Sequence, residues 1–83
     1  MKKYKIYLAT QPCKKLKRGD RKEIEHLRKT LIELATTPFH GAQLHGPLKG
    51  SRSWRVGNWR IVYRVEGQNI EVDRIEWRDK VYQ

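Results

Sequence analysis

The chain has a single cysteine, Cys13, so no disulfide can form within it. That scarcity fits a reducing compartment, and the cytoplasm is the expected location. Long apolar runs are missing too, which leaves no candidate for a membrane-spanning helix. The opening "MKKYKIYLATQP" is basic, but its apolar stretch is too short and too polar for a signal peptide. No stretch sets a strongly basic helix face against bulky apolar residues, which argues against a membrane surface as partner. With only one phenylalanine, tryptophan and tyrosine must supply most of the aromatic packing. No internal repeat or low-complexity linker divides the 83 residues, which read as one domain, 1–83. Its core must be small, because a chain of this size buries only roughly 60–65% of its unfolded surface.

Acid is scarce, and unevenly so. Nineteen Lys and Arg stand against nine Asp and Glu, a formal net charge of +10. Residues 1–18 hold seven basic residues and no acid; residues 49–64 hold five (Lys49, Arg52, Arg55, Arg60, Arg64) and again no acid. Such a chain repels itself and seeks a polyanion, and nucleic acid is the expected partner. Charge kept for solubility alone is the alternative, and it requires less of it.

What is present organises simply. "KYKIYLAT", Lys3 to Thr10, alternates as an opening strand would. Pro12 suits the first turn of a short helix that Gly19 ends. "DRKEIEHLRKTLIELATTP" is the clearest helix: Asp20 and Glu23 have capping-box spacing, and Ile24, Leu27, Leu31 and Leu34 line one face. Thr36, Thr37 and Pro38 stop it. Residues 12–36 are thus a helical hairpin broken at Gly19, and Phe39 to Ser51 is loop. From Ser53 the period becomes two, giving antiparallel strands at about 53–56, 59–66 and 69–76, joined by Gly57-Asn58 in a type II′ turn and by Gly67-Gln68.

Counting through Gly57-Asn58 sets Val56 against Trp59, Arg55 against Arg60, Trp54 against Ile61 and Ser53 against Val62. Directly paired residues share a face. Trp54, Val56, Trp59, Ile61, Tyr63 and Val65 then face the helix, and Ser53, Arg55, Arg60, Val62 and Arg64 face away. Like charges placed opposite each other are destabilising by a few tenths of a kcal/mol. Such a pair makes sense if a phosphate sits between the two guanidiniums; a solvated basic face is the bland alternative. Trp54 and Trp59 could stack on bases, but alternation assigns them to the core. In the third strand Ile70 and Val72 have one parity, Ile75 and Trp77 the other. One extra residue at Asp73-Arg74, a β-bulge, restores burial and turns Arg74, Glu76 and Arg78 away from the core. His26 falls off the apolar helix face. His40, His45 and Cys13 lack the ligand number and spacing of a metal site, and no metal or other cofactor is expected.

"LHGPLKGSRSWRVGNWRIVYRV" and "IEVDRIEWRDKVY" resemble the RelE/ParE superfamily of type II toxins, and within it the RelE-like messenger-RNA interferases. The matching elements are "LKG", "WRVGNWRIVY" and "RDKVY", spanning Leu44 to Tyr82. The resemblance implies an α+β fold, RelE-like: two N-terminal helices packed on one face of a small, twisted, antiparallel four-stranded sheet, mixed at its first strand. It also implies an acidic cognate antitoxin and action on mRNA in the ribosomal A site. By match to the family motif, Arg60 corresponds to the arginine at the scissile phosphate, Arg55 to the basic residue on the preceding strand, Arg78 to the basic residue near the end of the last strand, and Tyr82 to the C-terminal aromatic. The implied catalytic centre is Arg55, Arg60, Arg78 and Tyr82, with Lys49, Arg52, Ser53, Arg64 and Arg74 as RNA-binding residues around it. Two positions depart from the family: Ser53 stands where a second basic residue is frequent, and Trp77 where histidine is. Two other classes stay open: a ParE-like toxin that inhibits gyrase without cutting anything, and a non-catalytic basic RNA- or ribosome-binding module.

Overall fold

The computed structural model describes residues 3–77. In chain order they form β1 (Lys5–Leu8), α1 (Thr10–Lys17), α2 (Arg21–Leu34), β2 (Ala42–Gln43), a 3-10 turn (Gly46–Leu48), β3 (Arg52–Val56), β4 (Trp59–Glu66) and β5 (Asn69–Trp77). The sheet order is β1-β5-β4-β3-β2, with β1 parallel to β5 and the other neighbours antiparallel. The expected α+β architecture is therefore present, with five strands rather than four. The addition is β2, which pairs Ala42 with Ser53 and Gln43 with Arg52. Two residues inside a glycine-rich loop carry no period that sequence reading can detect.

Both helices pack on one sheet face. Leu16 of α1 and Leu27, Leu31 and Leu34 of α2 join Val56, Ile61, Tyr63, Ile70, Val72 and Ile75 in one cluster, with Ile24, Trp54, Trp59 and Val65 half-buried against it. Leu34, Ile61, Ile70, Val72 and Ile75 have no exposed surface, each contributing roughly 1.5–3 kcal/mol by burial. Asp20 occupies the N-cap position of α2 with an extended backbone, but its side chain makes no capping hydrogen bond, so the predicted capping box does not close. The acid in the first turn, Glu23, still complements the helix dipole. At the other end, Glu33 O accepts the hydroxyls of Thr36 and Thr37, at 2.8 and 3.0 Å, alongside their backbone N–H groups.

The β3–β4 register is the one counted from the sequence, with Arg55 opposite Arg60. Gly57 has φ +59° and no other residue type has positive φ among the described residues, the combination a type II′ turn requires. The bulge is also present: Val62 pairs with Arg74 and Tyr63 with Val72, leaving Asp73 as the extra residue. This is why Ile70, Val72 and Ile75 all reach the core despite their change of parity. Beyond the end of β1, the Gln11 side chain takes over the edge of β5. Its amide nitrogen donates to Ile75 O at 2.9 Å, and its oxygen accepts from Ile75 N at 3.0 Å.

Candidate functional site

The sheet face away from the helices is built in cross-strand rows. One row runs Glu76–Arg60–Arg55 across β5, β4 and β3; the next runs Arg74–Val62–Ser53–Ala42; a third runs Tyr7–Glu71–Arg64. Val62 is almost fully buried (2% exposed), although it lies outside the helix-side cluster. It forms an apolar floor between Arg60 and Arg64 on its own strand.

The cations on this face fall into two groups. Arg60 Nη2 lies 3.0 Å from Glu76 Oε1, with about a third of each side chain exposed (36% and 33%). Arg64 forks onto Asp73, Nε to Oδ2 at 2.8 Å and Nη2 to Oδ1 at 3.2 Å, and its Nη1 reaches Glu66 Oε2 at 3.4 Å. The Asp73 hydrogen bond and charge hold the Arg64 guanidinium above its ordinary pKa. Arg55 and Arg74 are exposed and have no carboxylate partner among the described residues. The repulsion expected between Arg55 and Arg60 is thus partly offset on the far side of Arg60 by Glu76. Half-exposed ion pairs of this kind are worth about 0–1 kcal/mol, and Glu76 engages only Nη2 of Arg60, which leaves other guanidinium donors for an incoming phosphate.

Arg55, Arg60, Ser53, Arg64 and Arg74 therefore share one face. Arg52 does not join them. It is paired with Tyr63 and so lies toward the helix side, where its Nη1 donates to Phe39 O at 3.1 Å and Gly41 O at 2.9 Å, with the guanidinium 5.1 Å from the Phe39 ring centre. Those bonds tie down the loop before β2. Lys49 lines a cavity of about 460 Å³ with Phe39, His45, Arg52 and Val65, also away from the Arg55–Arg60 row. Arg78 and Tyr82 lie outside the described residues.

Trp54 and Trp59 sit on the helix side. Trp54 stacks with His40 (ring centroids 4.7 Å apart, planes at 34°), and Lys15 Nζ lies 5.7 Å from the Trp59 ring centre. Tyr63, wholly buried, donates its hydroxyl to Pro38 O at 2.9 Å and accepts Gly41 N–H at 3.0 Å. Burial pushes its pKa up, opposed by the Gly41 hydrogen bond and the charge of Arg52. It is a lock on the loop.

Sequence reading missed Glu76 as the partner of Arg60. The signal was available: counting through Gly67-Gln68 with one residue of bulge sets Glu76 opposite Arg60.

Residues 5–82 match the family model described as ParE toxin of type II toxin-antitoxin system, parDE. Among solved structures, the toxin–antitoxin complex RelBE2 from Mycobacterium tuberculosis contains a chain superposing with TM-score 0.83 at 21% identity, over 92% of this chain and 99% of that one. The intact RelBE complex of E. coli gives 0.71 at 20%, over 87% and 93%. A YafQ mutant from E. coli gives 0.71 at 17%, over 96% and 99%. At these identities the likeness is one of fold. No curated protein matches the sequence significantly.

Proposed function

The chain belongs to the RelE/ParE superfamily of type II toxins, and from that premise we propose that it is a ribosome-dependent, metal-independent endoribonuclease that cuts mRNA in the cytoplasm. The observation that supports this best is the direct opposition of Arg55 and Arg60 on the open sheet face. Two guanidiniums a strand apart present converging forks of donors to a single phosphate. RNA supplies its own nucleophile: the 2′-OH upstream of the scissile phosphate attacks in line, leaving a 2′,3′-cyclic phosphate and a 5′-hydroxyl. Arg60 and Arg55 stabilise the charge that develops on the phosphorane oxygens, which is where electrostatic catalysis acts. Arg74, Arg64 and Ser53 flank the strand of RNA. Arg78 and Tyr82 enter through the family resemblance, Tyr82 as a proton-exchanging or orienting group.

An acidic antitoxin is the expected partner. A +10 chain with an open arginine face attracts any polyanion, and two of the structurally similar proteins were solved as toxin–antitoxin complexes.

The test is primer extension on mRNA after induction, wild type against Arg60→Ala. The variant is expected to lose cleavage by ~10²–10³ in rate while still binding its antitoxin. Unchanged cleavage sites in the variant would sink the proposal. A second reading, a ParE-like gyrase inhibitor, is favoured by the family model matched and by the carboxylates already paired with Arg60 and Arg64. It predicts intact mRNA and blocked gyrase supercoiling from the same preparation.

A further inference from the structure

Nucleophilic attack by a 2′-OH requires a group to take its proton. Arginine holds its own proton too tightly for that task. Among the described residues, the histidines lie elsewhere: His26 on α2, His40 stacked on Trp54, and His45 in the cavity with Lys49. Four carboxylates remain near or on the open face. Both oxygens of Asp73 are taken by Arg64, which also draws on Glu66. Glu71 is in the row of Arg64 and Tyr7. Glu76 alone shares the row of Arg60 and Arg55.

Its arrangement suits the task. Arg60 holds Oε1 at 3.0 Å, and among the described residues nothing donates to Oε2. One oxygen is thus oriented and the other open. Neighbouring strands lie about 4.8 Å apart, so a phosphate held over Arg60 and Arg55 brings the adjoining ribose within reach of β5.

We infer that Glu76 is the proton acceptor of the cleavage reaction; this rests on the nuclease reading above. Oε2 takes the proton of the 2′-OH as O2′ forms its bond to phosphorus. The P–O5′ bond breaks with its electron pair on O5′, which takes a proton from water, and Glu76 later returns its proton to solvent. No cofactor is needed to balance the step.

The experiment compares purified wild type, Glu76→Gln and Asp73→Asn, each shown by melting to be folded. It measures affinity for a single-stranded RNA oligonucleotide, and cleavage of mRNA in a translation reaction by the appearance of 2′,3′-cyclic ends. Glu76→Gln keeps or gains RNA affinity, because Arg60 is released, yet cleaves roughly 10²–10⁴-fold more slowly. Asp73→Asn, which releases Arg64 instead, cleaves like wild type. Cleavage by Glu76→Gln at or above the wild-type rate overturns the inference, making Glu76 only a brake on Arg60. So does an equal loss in Asp73→Asn, or a fall in RNA affinity that accounts for the lost rate. A wild type that yields no cyclic ends overturns the nuclease reading itself.

Discussion

Gly41 donates its backbone N–H to the hydroxyl of Tyr63 at 3.0 Å, across 22 residues of sequence, in the buried junction between the loop and β4. The same hydroxyl donates to Pro38 O at 2.9 Å. A Cβ at residue 41 would lie 2.5 Å from that hydroxyl and 2.8 Å from Ser53 O. Only glycine lets the loop come so close.

Tyr63→Phe therefore leaves two buried backbone groups without a partner. The expected cost is about 1–3 kcal/mol, or a fall in Tm of roughly 4–8 °C per kcal/mol for a domain of this size. Gly41→Ala forces backbone to move and should cost about as much. Thermal melts of both variants check this, and melts within a degree of wild type would show that the junction is not needed.

The same tyrosine predicts an alkaline limb in stability. Its folded pKa lies above the ordinary value of 10.0 because the phenol is buried. Above that ordinary value the unfolded chain loses the proton while the folded chain keeps it. The unfolded state then binds fewer protons, so stability falls as pH rises. The contribution is fully present below about pH 10 and is lost as pH climbs through the raised folded value. Urea melts from pH 8 to 11 should show the decline in wild type and a shallower one in Tyr63→Phe.

Asp73 has two separable roles. Deleting it removes the bulge but leaves Val72 and Ile75 two residues apart, so both still face the core and Arg74 still faces away. The deletion variant is expected to fold with a regular β5, as read by retention of near-ultraviolet circular dichroism. Asp73→Asn keeps the residue count and loses only the exposed pairing with Arg64, at a cost of less than about 1 kcal/mol. Loss of the folded state in the deletion variant would refute the bulge argument.

Arg55 and Arg52 should fail in opposite ways. Arg55 is exposed, with no carboxylate partner among the described residues, so Arg55→Ala should leave the melt unchanged. It should lower affinity for single-stranded RNA and reduce the log–log salt slope by about 0.7. Arg52 is tied to Phe39 O and Gly41 O, so Arg52→Ala should lower Tm and leave the salt slope in place. A reversed pattern would mean that Arg52 belongs to the RNA-binding face after all.

Much of this was readable in the chain because it is local. The opposition of Arg55 and Arg60 follows from a two-residue turn, and the bulge from the parity of Val72 and Ile75, each within a few residues of sequence. The apolar face of α2 follows from helical spacing in the same way. The capping box at Asp20 had the right residues, yet the side chain makes no capping hydrogen bond, because spacing permits such a bond without compelling it. Glu76 was readable by the same counting as Arg55, but only if acids are counted as members of a basic site.

By itself, then, the sequence determined periods, turns and net charge: two helices, a hairpin with arginines on one side and tryptophans on the other, and an appetite for polyanions. These depend on neighbours a few residues apart, where backbone geometry leaves few choices. Tertiary structure decided the rest. It added β2, it tied Arg52 to the loop across 11 and 13 residues, and it let Gln11 serve as a substitute strand for Ile75 across 64. It also set carboxylates against Arg60 and Arg64, so that the charge of the face depends on pairing as much as on composition. Contacts between segments so far apart leave no period in the sequence, because they are selected by the packing of the whole chain.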